Sequence, residues 1–95
     1  MPNRSKQKGG RFEREIVHYA ETLGLKAHKI PLSGAVPNYP GDINIAGRLC
    51  ECKKRHKPIA FLEKNLKPGI DALIIGGDYS RPLVVVRLED WLKLL

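Results

Sequence analysis

Nowhere in the 95 residues do about 18 apolar side chains follow one another, the length that a membrane-spanning helix needs. The opening stretch MPNRSKQKGG also lacks the hydrophobic segment of a secretion signal. A soluble, cytoplasmic protein with no membrane partner is therefore expected. Aromatic residues make up only 6%, so base stacking along single strands is disfavoured relative to backbone contact with duplex or branched nucleic acid. Cysteine is scarcer still, with two residues. Cys50 and Cys52 are alternate residues of one expected strand, sharing a face but too far apart along an extended chain for an unstrained disulfide. With His56 they would supply three zinc ligands where a structural site uses four, so buried thiols are expected.

Acidic residues are outnumbered, 10 Asp and Glu against 17 Lys and Arg, for a formal net charge of +7. An excess of that size favours a polyanionic partner, because neutralising phosphates releases condensed counterions whatever the base sequence. Nucleic acid is the leading candidate. A basic protein kept soluble by its charge is the plainer alternative. The length suits one compact domain, and a larger active surface would need a second copy of the chain.

Residues 1–10 are polar and basic, with Arg4, Lys6 and Lys8 ahead of Gly9 and Gly10, and read as a flexible arm before a single domain over 11–95. From about 10 to 23, Phe12, Ile16, Tyr19, Ala20 and Leu23 recur at helical spacing, and Gly24 follows as a stop. LKAHKIPL (25–32) alternates weakly as a first strand, ahead of the Gly- and Pro-rich loop SGAVPNYPG. HKPIAFLEKNLKPG gives a short helix ended by Pro68-Gly69. IDALIIGG and PLVVVRL read as strands, the second buried on both faces. EDWLKLL closes as an amphipathic helix whose apolar residues, Trp91 among them, could form a twofold interface. The expected order is αβββαββα, an α/β fold with a mixed sheet of about five strands flanked by helices. Asp71 and Asp78 fall at strand ends, where turn and capping roles are usual, and His18, His28 and His56 form no spaced ligand set.

GDINIAGRLCECKK, residues 41–54, has the form of a hairpin. Gly47-Arg48 suits a two-residue type II′ turn, which would set Ile45 opposite Cys50, Asn44 opposite Glu51 and Asp42 opposite Lys53. Opposed residues and alternate residues share a face. Asp42, Asn44, Glu51 and Lys53 then emerge on one side and Ile43, Ile45, Cys50 and Cys52 on the other. The polar side gathers two carboxylates and an ammonium within roughly 7–8 Å, one diagonal cross-strand spacing. A hard divalent cation could bridge those carboxylates, although an ordinary Asp–Lys pair on a wet face reads from the same residues. Glu13 lies at the edge of the first helix's apolar stripe, where a third carboxylate could reach the ribbon. Arg14, Glu15 and His18 read as solvated.

GDI, followed after seven residues by ECK, resembles the PD-(D/E)xK nuclease signature, with Gly41 where that pattern often has Pro. KGGRFEREI at Lys8–Ile16 resembles the opening helix of archaeal-type Holliday junction resolvases, and PLSG resembles their small-residue loop, with Ser33 at the matching place. The resemblance covers residues 8–57; beyond them only the element order is similar.

It implies a small restriction-endonuclease-like domain and a Mg²⁺-dependent DNA endonuclease, with Mn²⁺ able to substitute, that cuts branched DNA as a homodimer. Glu13, Asp42 and Glu51 would hold one or two metal ions. Lys53 would orient or deprotonate the attacking water or steady the charged phosphorane, and Ser33 would contact phosphate. Lys8 and Arg11 ahead of the site, with Lys54, Arg55 and Lys57 after it, would flank the DNA backbone. A nicking or restriction-like nuclease acting on linear or flapped duplex would share this site. A non-catalytic basic nucleic-acid-binding module would share the charge alone.

Overall fold

The computed structural model describes residues 4–31, 41–57 and 59–95, with the backbone alone for 4–9. In chain order the elements are α1 (Arg4–Thr22), β1 (Ala27–Lys29), β2 (Ile43–Ile45), β3 (Arg48–Cys50), α2 (Ala60–Asn65), β4 (Leu73–Ile75), β5 (Leu83–Val85) and α3 (Leu88–Leu92). This is the expected order, and the architecture is α/β. Among the described residues no helix is long and apolar enough to cross a membrane.

The chain divides into two compact units, residues 1–54 and 55–94. The five strands fall into two antiparallel sheets, β1–β2–β3 and β4–β5, where one mixed sheet is expected from the sequence. Every pairing joins strands that are neighbours along the chain. Such closures cost less loop entropy than a crossover, and strands of three residues gain few ladder bonds to offset a longer one.

In the first unit α1 packs on β1 and β2. The helix begins at Arg4, so it takes in most of the stretch expected to be a flexible arm. Arg4, Lys6, Gln7 and Lys8 are straight-chain helix formers, and the roughly 1 kcal/mol that each glycine costs at positions 9 and 10 does not stop a helix anchored by packing further along. Its end is where Gly24 predicts it. Gly24 sits at φ 83°; its N–H donates to Glu21 O and that of Leu25 donates to Ala20 O, the paired closure of a Schellman end. Ala20 is fully buried, and the core is completed by Ile30, Ile43 and Ile45.

The ribbon β2–β3 turns one residue earlier than its sequence suggests. Ala46 and Gly47 occupy the turn at φ 50° and 86°, two positive values as a type I′ turn requires, in place of a II′ turn at Gly47-Arg48. Asn44 explains the preference: its side-chain Oδ1 accepts from the Gly47 N–H at 3.0 Å, and the Ala46 N–H is satisfied by Lys26 O at 2.8 Å. The register becomes Ile43 to Cys50, Asn44 to Leu49 and Ile45 to Arg48. The slip is two residues, and an even slip leaves each side chain on its expected face. Ile43 and Ile45 are accordingly buried.

The second unit is held differently. The Arg87 guanidinium donates to the carbonyls of Ile70, Leu66 and Lys67, each at 3.0 Å, and so satisfies the end of α2 and the turn beyond it. That turn, Lys67 to Ile70, has Pro68 second and Gly69 third at φ 91°, the type II pattern. In the β4–β5 hairpin Ile74 lies opposite Val84. These side chains are 75% and 63% exposed, which corrects the expectation that PLVVVRL is buried on both faces. A two-stranded hairpin of this unit has no layer of its own on that side. Trp91 is half-buried and Leu92 is buried, so α3 offers less apolar surface than its sequence suggests.

Candidate active site

The ribbon's open end is built around Gly41 and Asp42. Gly41 is buried at φ 82°, a conformation that proline cannot adopt. A Cβ there would meet Ile30 Cδ1 and Leu49 Cβ at 3.4 Å, so the glycine in GDI is required by this backbone. The next N–H, from Asp42, donates to Cys50 O at 2.8 Å, while Ile43 is also paired with Cys50. Asp42 and the first residue of β2 therefore address one residue of β3. This is the arrangement of a β-bulge, which re-aims the side chain it carries.

Asp42 turns its carboxylate along the departing strand, where Oδ2 accepts from the Cys52 N–H at 2.8 Å. That bond fixes the chain just past the last ladder residue, at Cys52, which Glu51 and Lys53 flank in sequence. Both side chains are exposed. The Cys52 thiol reports the electrostatics. Burial, and then the negative charges of Asp42, Glu13, Cys50 and Glu51, push it up to about 11. Carboxylates of α1, of the bulge and of the residue just after β3 thus all contribute to that rise. The Cys50 thiol is pushed up by burial alone.

Glu13 is brought in by α1 and is engaged there by a residue that the sequence does not single out. Lys29 Nζ lies 3.2 Å from Glu13 Oε2, with the two side chains 42% and 17% exposed. Lys29 is paired with Ile43 and Ala27 with Ile45, so these β1 residues share the face of the two buried isoleucines, the side on which α1 packs. An ammonium on a helix-covered face needs a carboxylate partner. The signal lay in the alternation of LKAHKIPL, but it becomes readable only once the pairing of β1 with β2 is known.

The remaining expected contacts are spread along the first unit and into the second. Arg11 is exposed on α1, and Lys8 lies in the same helix. Lys54 is exposed with its Nζ 5.0 Å from the centroid of the Phe12 ring, a cation–π contact that ties the strand exit to α1. Arg55 and Lys57, both exposed, open the second unit. Ser33 lies outside the described residues. Arg14, Glu15, His18, His28 and His56 are exposed, as expected of solvated positions.

The donor set suits a hard divalent cation. Carboxylate oxygens match Mg²⁺ and Mn²⁺, and the sulfur beside them stays protonated at neutral pH, so no soft thiolate competes. Among the described residues no group of three or more His, Cys, Asp or Glu side chains is placed to hold a metal ion. Mg²⁺ makes no such demand, since one or two carboxylates with waters and phosphate oxygens complete its shell. Compared with models of protein families, with curated proteins and with solved structures, the chain gives no match.

Proposed function

We propose that the protein is a Mg²⁺-dependent DNA endonuclease of the PD-(D/E)xK type, with a restriction-endonuclease-like fold, acting inside the cell on branched DNA as a homodimeric Holliday junction resolvase. The observation that carries this reading is the Asp42 carboxylate held 2.8 Å from the Cys52 N–H, between Glu51 and Lys53 in sequence, with Glu13 on the helix that packs against the same ribbon. These three acids would hold the metal. When bound, Mg²⁺ supplies Lewis-acid stabilisation of the charge that develops on the phosphorane.

The chain's own groups do the rest. Asp42 is pre-aimed by the bulge and by its bond from the Cys52 N–H, so it needs no reorganisation to act as a ligand. The lysine two residues after Glu51 brings a mobile ammonium to the same lip, where it can orient the attacking water or offset phosphate charge. Arg11 on α1, with Lys54 held over Phe12, extends positive charge to both sides of the acids, as a phosphodiester backbone requires. Symmetric cutting of two strands calls for two such sites, and hence for a second copy of the chain.

Incubation of the purified protein with four-way junction, flap, linear and single-stranded DNA in Mg²⁺, beside the Asp42→Asn variant, tests the proposal. The expected result is cleavage of the junction by the wild type and a loss of about a hundredfold or more in the variant. Equal cleavage by both proteins, or none with any divalent metal, rejects a metal-dependent nuclease and leaves a basic binding module. Preference for linear or flapped duplex keeps the chemistry and rejects the resolvase.

A further inference from the structure

Lys29 stands apart from the residues assigned above, because its partner is one of the three acids. We infer that Lys29 is a resident counter-cation: its ammonium occupies Glu13 until a divalent metal competes for the same carboxylate. The inference rests on the reading of Glu13, Asp42 and Glu51 as metal ligands and adds what regulates their occupancy.

Two observations support it. The ion pair is close, 3.2 Å, and one member is largely buried, so it is less screened by solvent than an exposed pair would be. The ammonium comes from the strand face against which α1 packs, and its Nζ lies 3.9 Å from where a Gly10 Cβ would stand, with Arg14 Nη1 3.5 Å from the same point. Two cations thus flank the bare backbone of α1 one turn before Glu13.

A metal ion arriving at Glu13 must share the carboxylate with Lys29 or displace it. Removing the ammonium should therefore tighten metal binding and loosen the metal-free site. Lys29→Arg should leave both nearly unchanged, because the cation is kept. Lys29 acts through Glu13 and is thus a positioning residue.

The test is calorimetric titration of the full chain with Mn²⁺, with thermal melting of each protein with and without the ion. Lys29→Met is expected to bind Mn²⁺ about fivefold more tightly than the wild type, as the loss of a competing ion pair implies. It should also melt lower without metal and gain more on adding it. In a Glu13→Gln background the same substitution should change nothing. Unchanged or weaker Mn²⁺ binding by a folded Lys29→Met protein, when Asp42→Asn still weakens binding, overturns the inference and leaves the metal site standing. Absence of Mn²⁺ uptake by every variant and by the wild type overturns both.

Discussion

Residues 1–54 and 55–94 each combine a small antiparallel sheet with at least one helix, yet the first unit hides Ile43 and Ile45 completely while the second leaves Ile74 and Val84 mostly exposed. They differ as much in charge. Ten Lys and Arg face five Asp and Glu in the first unit, against seven and five in the second. At the ribbon of the first unit a bulge, a positive-φ glycine and a side-chain-to-backbone bond fix the direction of the Asp42 carboxylate. The second unit's polar device is a single arginine that satisfies three carbonyls. The proposed site thus lies where positive-φ glycine and bulge constrain the backbone.

The sharpest way to break this contrast is to truncate equivalent side chains in the two units. Ile43→Ala should cost about 2–5 kcal/mol, because the side chain is wholly enclosed and leaves a cavity between α1 and the sheet. Ile74→Ala, mostly exposed, should move stability by no more than about 0.5 kcal/mol. Denaturant unfolding followed by circular dichroism measures both. Equal losses would mean that the second hairpin face is covered in solution.

Arg87→Met comes next, expected to cost about 1–3 kcal/mol by orphaning carbonyls at the end of α2. Amide exchange should locate the loss in residues 60–70 and leave the ribbon protected. Spread of the effect into β2 and β3 would show that the two units unfold together.

How far the sequence could foresee this contrast depends on the kind of signal each feature leaves. The stripe of Phe12, Ile16 and Ala20 with Gly24 behind it places α1 and its end, since helical period and a left-handed stop are local properties. The ribbon's two faces were equally legible, because alternation survives a slip of two residues. Its register was not: Gly47-Arg48 and Ala46-Gly47 both offer a turn with glycine, and the choice falls to the Asn44 side chain. The bulge at Asp42 and the pairing of Lys29 with Glu13 depend on contacts across the sheet and between helix and strand, which no window of neighbouring residues contains. Exposure of PLVVVRL was misread for the same reason: an apolar run records a preference for burial and cannot say whether a covering layer exists.

Gly41→Ala probes the constrained end of the ribbon. At φ 82° an added Cβ costs about 1–2 kcal/mol in backbone strain, and contacts at 3.4 Å to Ile30 and Leu49 add to it. Because Asp42 follows directly, the variant should lose cleavage out of proportion to stability, which comparison of melting with junction cleavage measures. Loss of stability alone would mean that the bulge is structural and does not aim the carboxylate.

The smallest effect has the opposite sign. Gly10 lies inside α1 without a positive φ, and a Cβ there would make ordinary contacts of 3.5 Å with Arg14 Nη1 and 3.9 Å with Lys29 Nζ. Gly10→Ala should therefore stabilise the first unit by about 0.5–1 kcal/mol through the restricted unfolded chain and better helix propensity, read as a rise in melting temperature. Destabilisation would mean that the two cations beside Gly10 have no room to give, and that the glycine is kept for the reach of Lys29 to Glu13. The sign of one alanine substitution thus separates a glycine that merely weakens a helix from one that lets a strand lysine cross it.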